Sequence, residues 1–369
     1  MTSYHLRATL LPDGDEPMDL WVHDGRFTFT PVTGAEELGR PGMFALPGLA
    51  DCHAHVSLDM AEQVLPPGAL GLIESNLRAH LASGTLLVRD PGSPDGSSAA
   101  WQGRPGLPRL QAAGRFLAPE GRYVAFGQWT APGQLAASAA AHVASGARWA
   151  KVVVDWVTYD GPAAPARFTP NYDAATIRGA VEAVHAAGGR VTVHTTGPEG
   201  AANAVAAGVD GIEHGDGLDE ELLSHCAAKG IAWCPTLAMT EVAAEMIERT
   251  GEARRRFAHE RYEAARYLLP IAERLGVTVL AGTDMLPHGS VALEVETLAR
   301  HGLSPRAALA AASTAARRYL GEPGIEEGAP ADLVLYAADP RTTPEVLRSP
   351  SLVMLEGEIV ARSRAEGIR

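Results

Sequence analysis

The stretch VHAAGGRVTVHTTGPEGAANAVAAGVDGIEHG, residues 184–215, alternates alanine-rich segments with short runs of β-branched residues. Each alanine-rich segment ends in glycine, and a run containing valine or isoleucine follows it. Glycine readily adopts the left-handed conformation that caps the C-terminus of a helix. The pattern therefore predicts successive helix–strand units, which are typical of a parallel sheet covered by helices.

The same pattern extends over most of the chain. We predict eight strands from the segments GLADCHAHV, GTLLVRD, RLQAAGRFL, WAKVVVDW, GRVTVHTT, GVDGIEHG, GIAWCPTL and GVTVLAGTD. We predict helices over roughly 61–82, 132–146, 173–187, 199–207, 218–229, 240–275, 291–301 and 304–320. Eight strands that alternate with helices favour a closed (β/α)8 TIM barrel. An open doubly wound sheet is the alternative, but no glycine-rich phosphate loop follows the first strand.

The two ends of the chain have a different pattern. Residues 1–46 and 322–369 contain strand segments such as LWVHDGRFTF, ADLVLYA and SLVMLEGEIVA. Within them, HDGR and EGE are turn signals. We predict that both termini together form one small β-sandwich domain, beside a barrel domain that spans residues 47–321.

The composition limits the classes of partner. The chain has 369 residues, a net charge of -13 and 46% hydrophobic residues. This acidity disfavours nucleic acids and anionic membranes, because both attract basic surfaces. Cys52, Cys226 and Cys234 lack the spacing of a disulfide framework or a zinc finger, and we find neither a signal peptide nor a membrane-spanning run. These features predict a cytoplasmic protein that acts on a small molecule, and they leave a homo-oligomer open.

Residues that bind metals recur near the ends of the predicted strands. In a (β/α)8 barrel, catalytic residues lie at the C-terminal ends of the strands. His53 and His55 are two residues apart, so in a strand they would face the same side. Imidazole and carboxylate groups at one rim suit a divalent metal. The candidate metal-binding residues are His53, His55, Lys151, His194, His214 and Asp284.

Lys151 differs from the other candidates because an ammonium group cannot bind a cation. Burial and a nearby metal charge both favour the neutral amine. A neutral amine can react with carbon dioxide to form a carbamate, which is anionic and has two oxygens. Such a group can bridge two metal ions, so we predict that Lys151 is N-carboxylated.

The motifs PGLADCHAHV, AKVVVD, VTVHTTG, DGIEHG, CPTL and AGTD follow one another along the chain. The segments GLSPRAALAAASTAARRYLG and GIEEGAPADLVLYAADP come after them. In these motifs the chain resembles the amidohydrolase superfamily, in the branch of imidazolonepropionase-like proteins and metal-dependent prolidases. The resemblance spans nearly the whole chain.

The resemblance implies a binuclear metal centre, with zinc as the default metal. One ion would be bound by His53, His55, Lys151 and Asp284, and the other by Lys151, His194 and His214. A hydroxide would bridge the two ions, and Asp284 would pass its proton to the leaving nitrogen. The implied reaction is hydrolysis of an amide (C–N) bond in a dipeptide, an N-acyl amino acid or a cyclic amide.

Two other functions stay open at this point. Mononuclear zinc deaminases and imidazolonepropionase-type hydrolases of the same superfamily often work with one ion and no carbamate. The chemical state of Lys151 therefore separates them from a binuclear hydrolase. A non-catalytic homologue is disfavoured, because all six ligand positions are filled.

The sequence offers four candidate substrate contacts, namely Arg122, Tyr123, Trp156 and His288. Arg122 and Tyr123 lie where the family's peptidases often have a Gly-Gly-His-Gly loop, and Trp156 lies where they tend to have a glycine-rich turn. Because of these two departures, we do not transfer prolidase activity. We interpret Glu213 as a buried partner behind the metal, and the charged segment 252–261 as a solvated outer helix face.

Overall fold

The computed structural model describes residues 2–58, 70–124, 127–159, 166–241, 252–284 and 287–363. Its strands are β1 (Tyr4–Leu10), β2 (Pro17–His23), β3 (Arg26–Thr28), β4 (Glu36–Glu37), β5 (Met43–Leu46), β6 (Leu49–Asp51), β7 (Thr85–Asp90), β8 (Arg109–Ala118), β9 (Gln128–Trp129), β10 (Trp149–Val153), β11 (Asp155–Tyr159), β12 (Ala166–Pro170), β13 (Arg190–Thr195), β14 (Gly211–His214), β15 (Ala232–Cys234), β16 (Leu333–Tyr336), β17 (Leu352–Leu355) and β18 (Glu358–Arg362).

The helices follow the barrel strands in alternation. They are α1 (Leu70–Ala82), α2 (Leu135–Ala144), α3 (Ala174–Ala186), α4 (Pro198–Ala207), α5 (Glu220–Lys229), α6 (Glu252–Leu275), α7 (Val291–Arg300), α8 (Pro305–Ala311) and α9 (Thr314–Leu320). Short 3-10 helices lie at Ser97–Trp101, Pro132–Gln134 and Pro344–Arg348, and residues 237–241 are also helical. Within the described segments, no helix combines the length and the apolar character needed to cross a bilayer.

The wall of the barrel consists of parallel strands in the order β6-β7-β8-β10-β13-β14-β15. The eighth predicted strand, residues 276–284, closes the ring as an extended segment. Val279 forms a parallel bridge with Trp233 of β15. On the other side of this segment, the backbone N–H of Cys52 donates to the carbonyl of Ala281 at 2.8 Å. The prediction of a (β/α)8 barrel is therefore confirmed.

Glycines end the helices where the sequence predicts them. Gly208 caps α4 with φ 78° and Gly230 caps α5 with φ 69°. Only glycine adopts this left-handed conformation without a steric cost. The chain leaves each helix at the cap and enters β14 or β15 within a few residues, which sets the short connections of the barrel.

The prediction of one continuous helix over 304–320 is wrong. The chain forms α8 and α9, with a break at Ala312 and Ser313. At this break, the carbonyl of Ala311 accepts a hydrogen bond from Ala281 N at 2.9 Å, and that of Ala312 accepts one from Ala50 N at 2.7 Å. The break therefore supplies backbone acceptors to the first and last barrel segments. In an unbroken helix, these two carbonyls would accept hydrogen bonds from the helix's own N–H groups.

A hairpin of β11 and β12 extends over the rim, and the sequence did not predict it. Its strands pair in antiparallel register from Asp155 opposite Pro170 to Tyr159 opposite Ala166. The predicted helices over 61–82 and 240–275 lie partly outside the described residues. Their described parts are helical.

The strands from both termini form a separate eight-stranded sheet in the described part of the chain. Its order is β18-β17-β16-β5-β1-β2-β3, with β4 paired to β1. The sheet curls, because Arg26 of β3 bridges to Pro330 just before β16. Leu6, Val22, Leu333 and other buried side chains fill the space that it encloses. The exact domain boundaries, 46/47 and 321/322, stay predictions.

Candidate metal centre

Strand alternation places two of the six candidates inside the barrel. Lys151 lies in β10 between Ala150 and Val152, which pack in the core between the wall and the helices. His194 lies in β13 next to Val193, which packs in the same core. Because successive side chains in a strand face opposite sides, Lys151 and His194 face the interior.

The other four candidates lie at or beyond the ends of regular strands. β6 ends at Asp51, so the strand predicted for GLADCHAHV is shorter than expected, and His53 and His55 follow it. Beyond the end of β6, the side chain of Asp51 takes the place of the backbone pairing between strands. Its Oδ1 accepts hydrogen bonds from His53 N and Thr283 N, each at 3.1 Å. Asp51 thereby joins the segment that carries His53 to the segment that carries Asp284.

Three of the side chains converge on one point. The Nε2 atoms of His53 and His55 are 3.3 Å apart. Asp284 Oδ1 lies 3.4 Å from each of these nitrogens. His214 Nε2 lies 4.0 Å from Asp284 Oδ2, and the ligand atoms of His53, His214 and Asp284 all lie within 4.8 Å of one another. This spacing and this set of donors suit a divalent cation.

The second nitrogen of three histidines is held by the protein. His53 Nδ1 lies 2.7 Å from Glu213 Oε2, and His55 Nδ1 lies 2.8 Å from the carbonyl of Gly92. His214 Nδ1 lies 2.8 Å from Thr236 Oγ1. A ring that donates its Nδ1–H to an oxygen directs the Nε2 lone pair the other way, which is the usual arrangement of metal-binding histidines.

His194 completes the histidine group. Its ring centroid lies 4.6 Å from that of His214. Its Nε2 atom is buried and has no hydrogen-bond partner among the described residues. A buried nitrogen without a partner costs free energy, and a metal ion would satisfy it.

Lys151 is 1% exposed. In the described part of the chain, its Nζ atom has no carboxylate within the 4.0 Å of an ion pair. Burial lowers the pKa of Lys151 below its usual range. A larger share of the amine is therefore neutral, and the neutral form is the one that reacts with carbon dioxide.

Three residues at the rim have backbone angles that side chains other than glycine rarely adopt. The φ angles are 63° at His214, 52° at Thr236 and 47° at Asp284. Such left-handed residues cost on the order of 1–3 kcal/mol each and cluster at functional sites. Hydrogen bonds stabilise them here: Trp233 Nε1 donates to His214 O, and Asp284 N donates to His53 O, both at 2.7 Å.

A buried ion pair lies below the candidate metal-binding histidines. Arg89 Nη2 lies 2.5 Å from Glu213 Oε1, and both side chains are 0% exposed. Arg89 Nε also donates to the carbonyl of Cys52 at 2.6 Å, and Thr192 Oγ1 donates to Glu213. Burial alone would raise the pKa of Glu213, but Arg89 and His53 hold it well below its usual range. This geometry agrees with the interpretation of Glu213 as a buried partner.

The site opens into a cavity of about 210 Å³. Tyr123 and Trp156 form an aromatic wall, with ring centroids 4.7 Å apart. Trp156 also lies 5.2 Å from the ring of His194. The cavity is lined by His53, His55, Tyr123, Lys151, Trp156, His194, Thr196, His214, Met239, Arg261 and Asp284. All six metal candidates and two of the four candidate substrate contacts are therefore brought together.

The structure does not bring Arg122 and His288 to the cavity. Arg122 donates from Nε to Asn171 Oδ1 at 2.9 Å and from Nη2 to Thr169 O at 2.6 Å, so it binds the end of β12 and the residue just after the hairpin. His288 lies behind the rim, where its Nδ1 is 3.1 Å from His80 Nε2. The geometry gives these two residues structural contacts and no place in the cavity wall.

Arg261 belongs to the cavity wall, and the sequence interpretation of segment 252–261 as an outer face is wrong at this residue. Its Nε lies 2.7 Å from Asp216 Oδ2, and its side chain is only 14% exposed. The charge pattern of α6 gives no sign of this, because the face that a helix turns inward depends on its partners.

Asp155 was also missed by the sequence interpretation. Its Oδ1 accepts from Thr196 N at 2.8 Å, and its Oδ2 accepts from Thr195 Oγ1 at 2.6 Å and from Gly197 N at 3.1 Å. These bonds tie the start of the hairpin to the loop that follows His194. The sequence signal that could have indicated such a loop anchor is an aspartate that directly follows the apolar run VVV at residues 152–154.

Comparison with known proteins agrees with this fold. Residues 44–360 match the model of the amidohydrolase family. An uncharacterized protein of Mycobacterium tuberculosis is 37% identical over 361 residues, which cover 96% of this chain and 94% of that protein. The crystal structure of an amidohydrolase superposes with a TM-score of 0.83 at 25% identity, covering 98% of this chain and all of the other.

A crystal structure of a Xaa-Pro dipeptidase with bound methionine in its active site shares the fold, with a TM-score of 0.81 at 22% identity, and covers 97% of this chain and 99% of that one. The match to the family model extends from β5 to β18 and includes every candidate metal ligand. The family name and this fold support a hydrolase that acts on amide bonds. The chain belongs to the amidohydrolase family.

Proposed function

We propose that this protein is a metal-dependent hydrolase that cleaves an amide C–N bond of a small substrate at a binuclear centre. The observation that supports this most directly is the convergence of His53 Nε2, His55 Nε2 and Asp284 Oδ1, each within 3.4 Å of the next. The proposed ligands are His53, His55, Lys151, His194, His214 and Asp284.

Lys151 is the residue that favours two ions over one. It lies inside the barrel on β10, next to β13, with Val153 opposite His194 in the register. As a carbamate it would supply an anionic group with two oxygens, which is enough to contribute a ligand to each of two ions. Its burial and lowered pKa support this modification. Zinc is the metal that this set of ligands favours.

Divalent cations bound here would supply Lewis acidity and a water of lowered pKa. The chain's own contribution to proton transfer is Asp284. Burial alone would raise the pKa of Asp284, but His53 and His55 lower it below its usual range. The carboxylate is therefore ionised at neutral pH, so it can accept a proton from the attacking water and deliver it to the leaving nitrogen.

The cavity supports a small substrate. Its volume of about 210 Å³ is below the ~300–1,000 Å³ of pockets for drug-sized ligands. Tyr123 and Trp156 offer an apolar surface beside the site. A dipeptide, an N-acyl amino acid or a cyclic amide fits these properties, and the dipeptidase among the similar structures supports the first of these. The free, buried cysteines favour a cytoplasmic location.

Metal analysis combined with hydrolysis tests this proposal. We expect about two ions per chain in protein purified without chelator, and release of a free amino acid from part of a panel of dipeptides, N-acyl amino acids and cyclic amides. One ion per chain with an unmodified lysine would favour the mononuclear alternative. Fewer than about one ion per chain, or no turnover across the panel, would contradict the proposal.

The carbamate has its own test. Lys151→Ala should lower the metal content to about one ion per chain or less, and wild-type loading should increase when bicarbonate is added to metal-free protein. Lys229→Ala is the matched control, because Lys229 Nζ only donates to the carbonyl of Val205 at 2.8 Å on the outer helices. Equal metal loading of both variants would contradict the role of Lys151.

A further inference from the structure

Arg261 brings a guanidinium group to the wall of the cavity. The residue comes from α6, whose other described charged residues include the exposed Arg266. Arginine keeps its positive charge throughout the physiological pH range. The guanidinium group of Arg261 has no role in metal binding, because a cation does not bind a metal ion.

Asp216 forms an ion pair with this guanidinium group. Its Oδ2 lies 2.7 Å from Arg261 Nε, and the two side chains are 9% and 14% exposed. Asp216 follows His214 by two residues, so the pair connects α6 to the same rim that carries the proposed ligands. An arginine whose side chain is already held by an ion pair loses less side-chain entropy when it binds a further group.

The ion pair with Asp216 places Arg261 on one side of the cavity. Asp216 follows β14, and His194, Thr196 and His214 line the cavity together with Arg261. The guanidinium group therefore lies on the side of the cavity formed by β13 and β14. An anionic group of a substrate in the cavity would be attracted to this side.

We propose that Arg261, positioned by Asp216, binds the free carboxylate of the substrate and so makes the enzyme selective for amides that carry one, namely dipeptides and N-acyl amino acids. The planar guanidinium group matches a carboxylate geometrically and binds it through charge-assisted hydrogen bonds. The inference rests on the proposed function. It narrows the substrate class, because cyclic amides without an acid group fit less well.

The test compares an acid with its carboxamide, which has the same shape and no charge. For the best dipeptide substrate and its amide, kcat and KM are measured. For N-acetyl-L-leucine and its amide, binding affinity is measured by calorimetry. The variants are Arg261→Lys, which keeps the charge, and Arg261→Met combined with Asp216→Asn, which leaves no unpaired carboxylate. Arg266→Met is the control for charge loss on the same helix.

We expect the double variant to lose about 10–100-fold in affinity or kcat/KM for the acids, mainly through KM, and less than about threefold for the amides. Arg261→Lys should fall in between, because a lysine lacks the bidentate geometry. Arg266→Met should match the wild type. Melting temperatures of all variants show whether each is folded.

Other results overturn the inference. An equal loss for acid and amide would make Arg261 a structural residue, and a loss in kcat at constant KM would assign it to the carbonyl oxygen. No preference of the wild type for the acid over its amide, in binding or in turnover, would also refute it. If the wild type binds acids selectively through Arg261 but hydrolyses none, the proposed function fails and the carboxylate site stands.

Discussion

The exchange Glu213→Gln tests the link between the barrel interior and the metal centre. Besides the hydroxyl of Thr192, Glu213 contacts Arg89 Nη2 at 2.5 Å and His53 Nδ1 at 2.7 Å on different sides. Glutamine keeps the shape of the side chain and removes its charge. The variant therefore leaves the guanidinium group of Arg89 buried without a carboxylate, and it weakens the acceptor that orients His53.

The magnitude follows from the burial of the pair. Both side chains are 0% exposed, and Arg89 Nη1 already has no hydrogen-bond partner among the described residues. Removing one partner of such a pair costs about 3–5 kcal/mol. For a chain of this size that corresponds to a fall in melting temperature of about 4–6 °C. Loss of the group that orients a metal-binding histidine lowers metal affinity by about 10–100-fold.

Two measurements separate these effects. Urea unfolding in the presence of a chelator reports the free energy of unfolding of the metal-free protein, and a competition assay with a chromogenic chelator reports metal affinity. Glu182→Gln is the control, since Glu182 is exposed on α3 and the substitution removes the same charge. If Glu213→Gln changes stability by less than about 1 kcal/mol, the pair is not the stabilising contact described here. An unchanged metal affinity would show that His53 does not depend on Glu213.

Three further variants test the surroundings of the site. Burial raises the pKa of Glu294 from 4.5 to about 8, so the folded protein keeps a proton that the unfolded chain loses above its own pKa. The free energy of unfolding should therefore fall by about 1.4 kcal/mol per pH unit between about pH 5 and 8. Urea titrations should show that Glu294→Gln removes this pH dependence. The same pH dependence in both proteins would contradict the raised pKa of Glu294. Asp155→Asn cannot accept all the bonds from Thr195 and Gly197, so we expect a loss of about 2–3 kcal/mol in the same assay, and no loss would show that the loop needs no anchor. Trp156→Ala opens the aromatic wall and should raise KM about tenfold at unchanged metal content, whereas loss of metal would show that Trp156 supports the ligands.

The barrel could be predicted because its signals are local. A helix cap such as Gly208, followed by a β-branched run, marks each unit without reference to the rest of the chain. Alternation within a strand likewise gives the inward direction of Lys151 and His194. Each of these features depends on a few neighbouring residues, so the sequence contains it directly.

The remainder of the site depends on contacts between distant segments. His214 and Asp284 face the cavity with left-handed backbone angles, which Trp233 and the carbonyl of His53 stabilise from other strands. Arg261 faces inward because it forms an ion pair with Asp216. The charge pattern of α6 alone does not show how the helix is rotated about its own axis. For the same reason Arg122, although close in sequence to Tyr123, points to another segment.

The break between α8 and α9 has a consequence for the order of folding. The first and last barrel segments each need an acceptor from this break, at Ala312 and Ala311, for Ala50 and Ala281. The barrel strands are synthesised before residue 312. The backbone N–H groups of the first and last barrel segments therefore lack these acceptors until the C-terminal helices have been synthesised. Exposed strand edges of this kind promote aggregation. A chain truncated before the break should therefore accumulate in inclusion bodies, even though it retains all six proposed metal ligands.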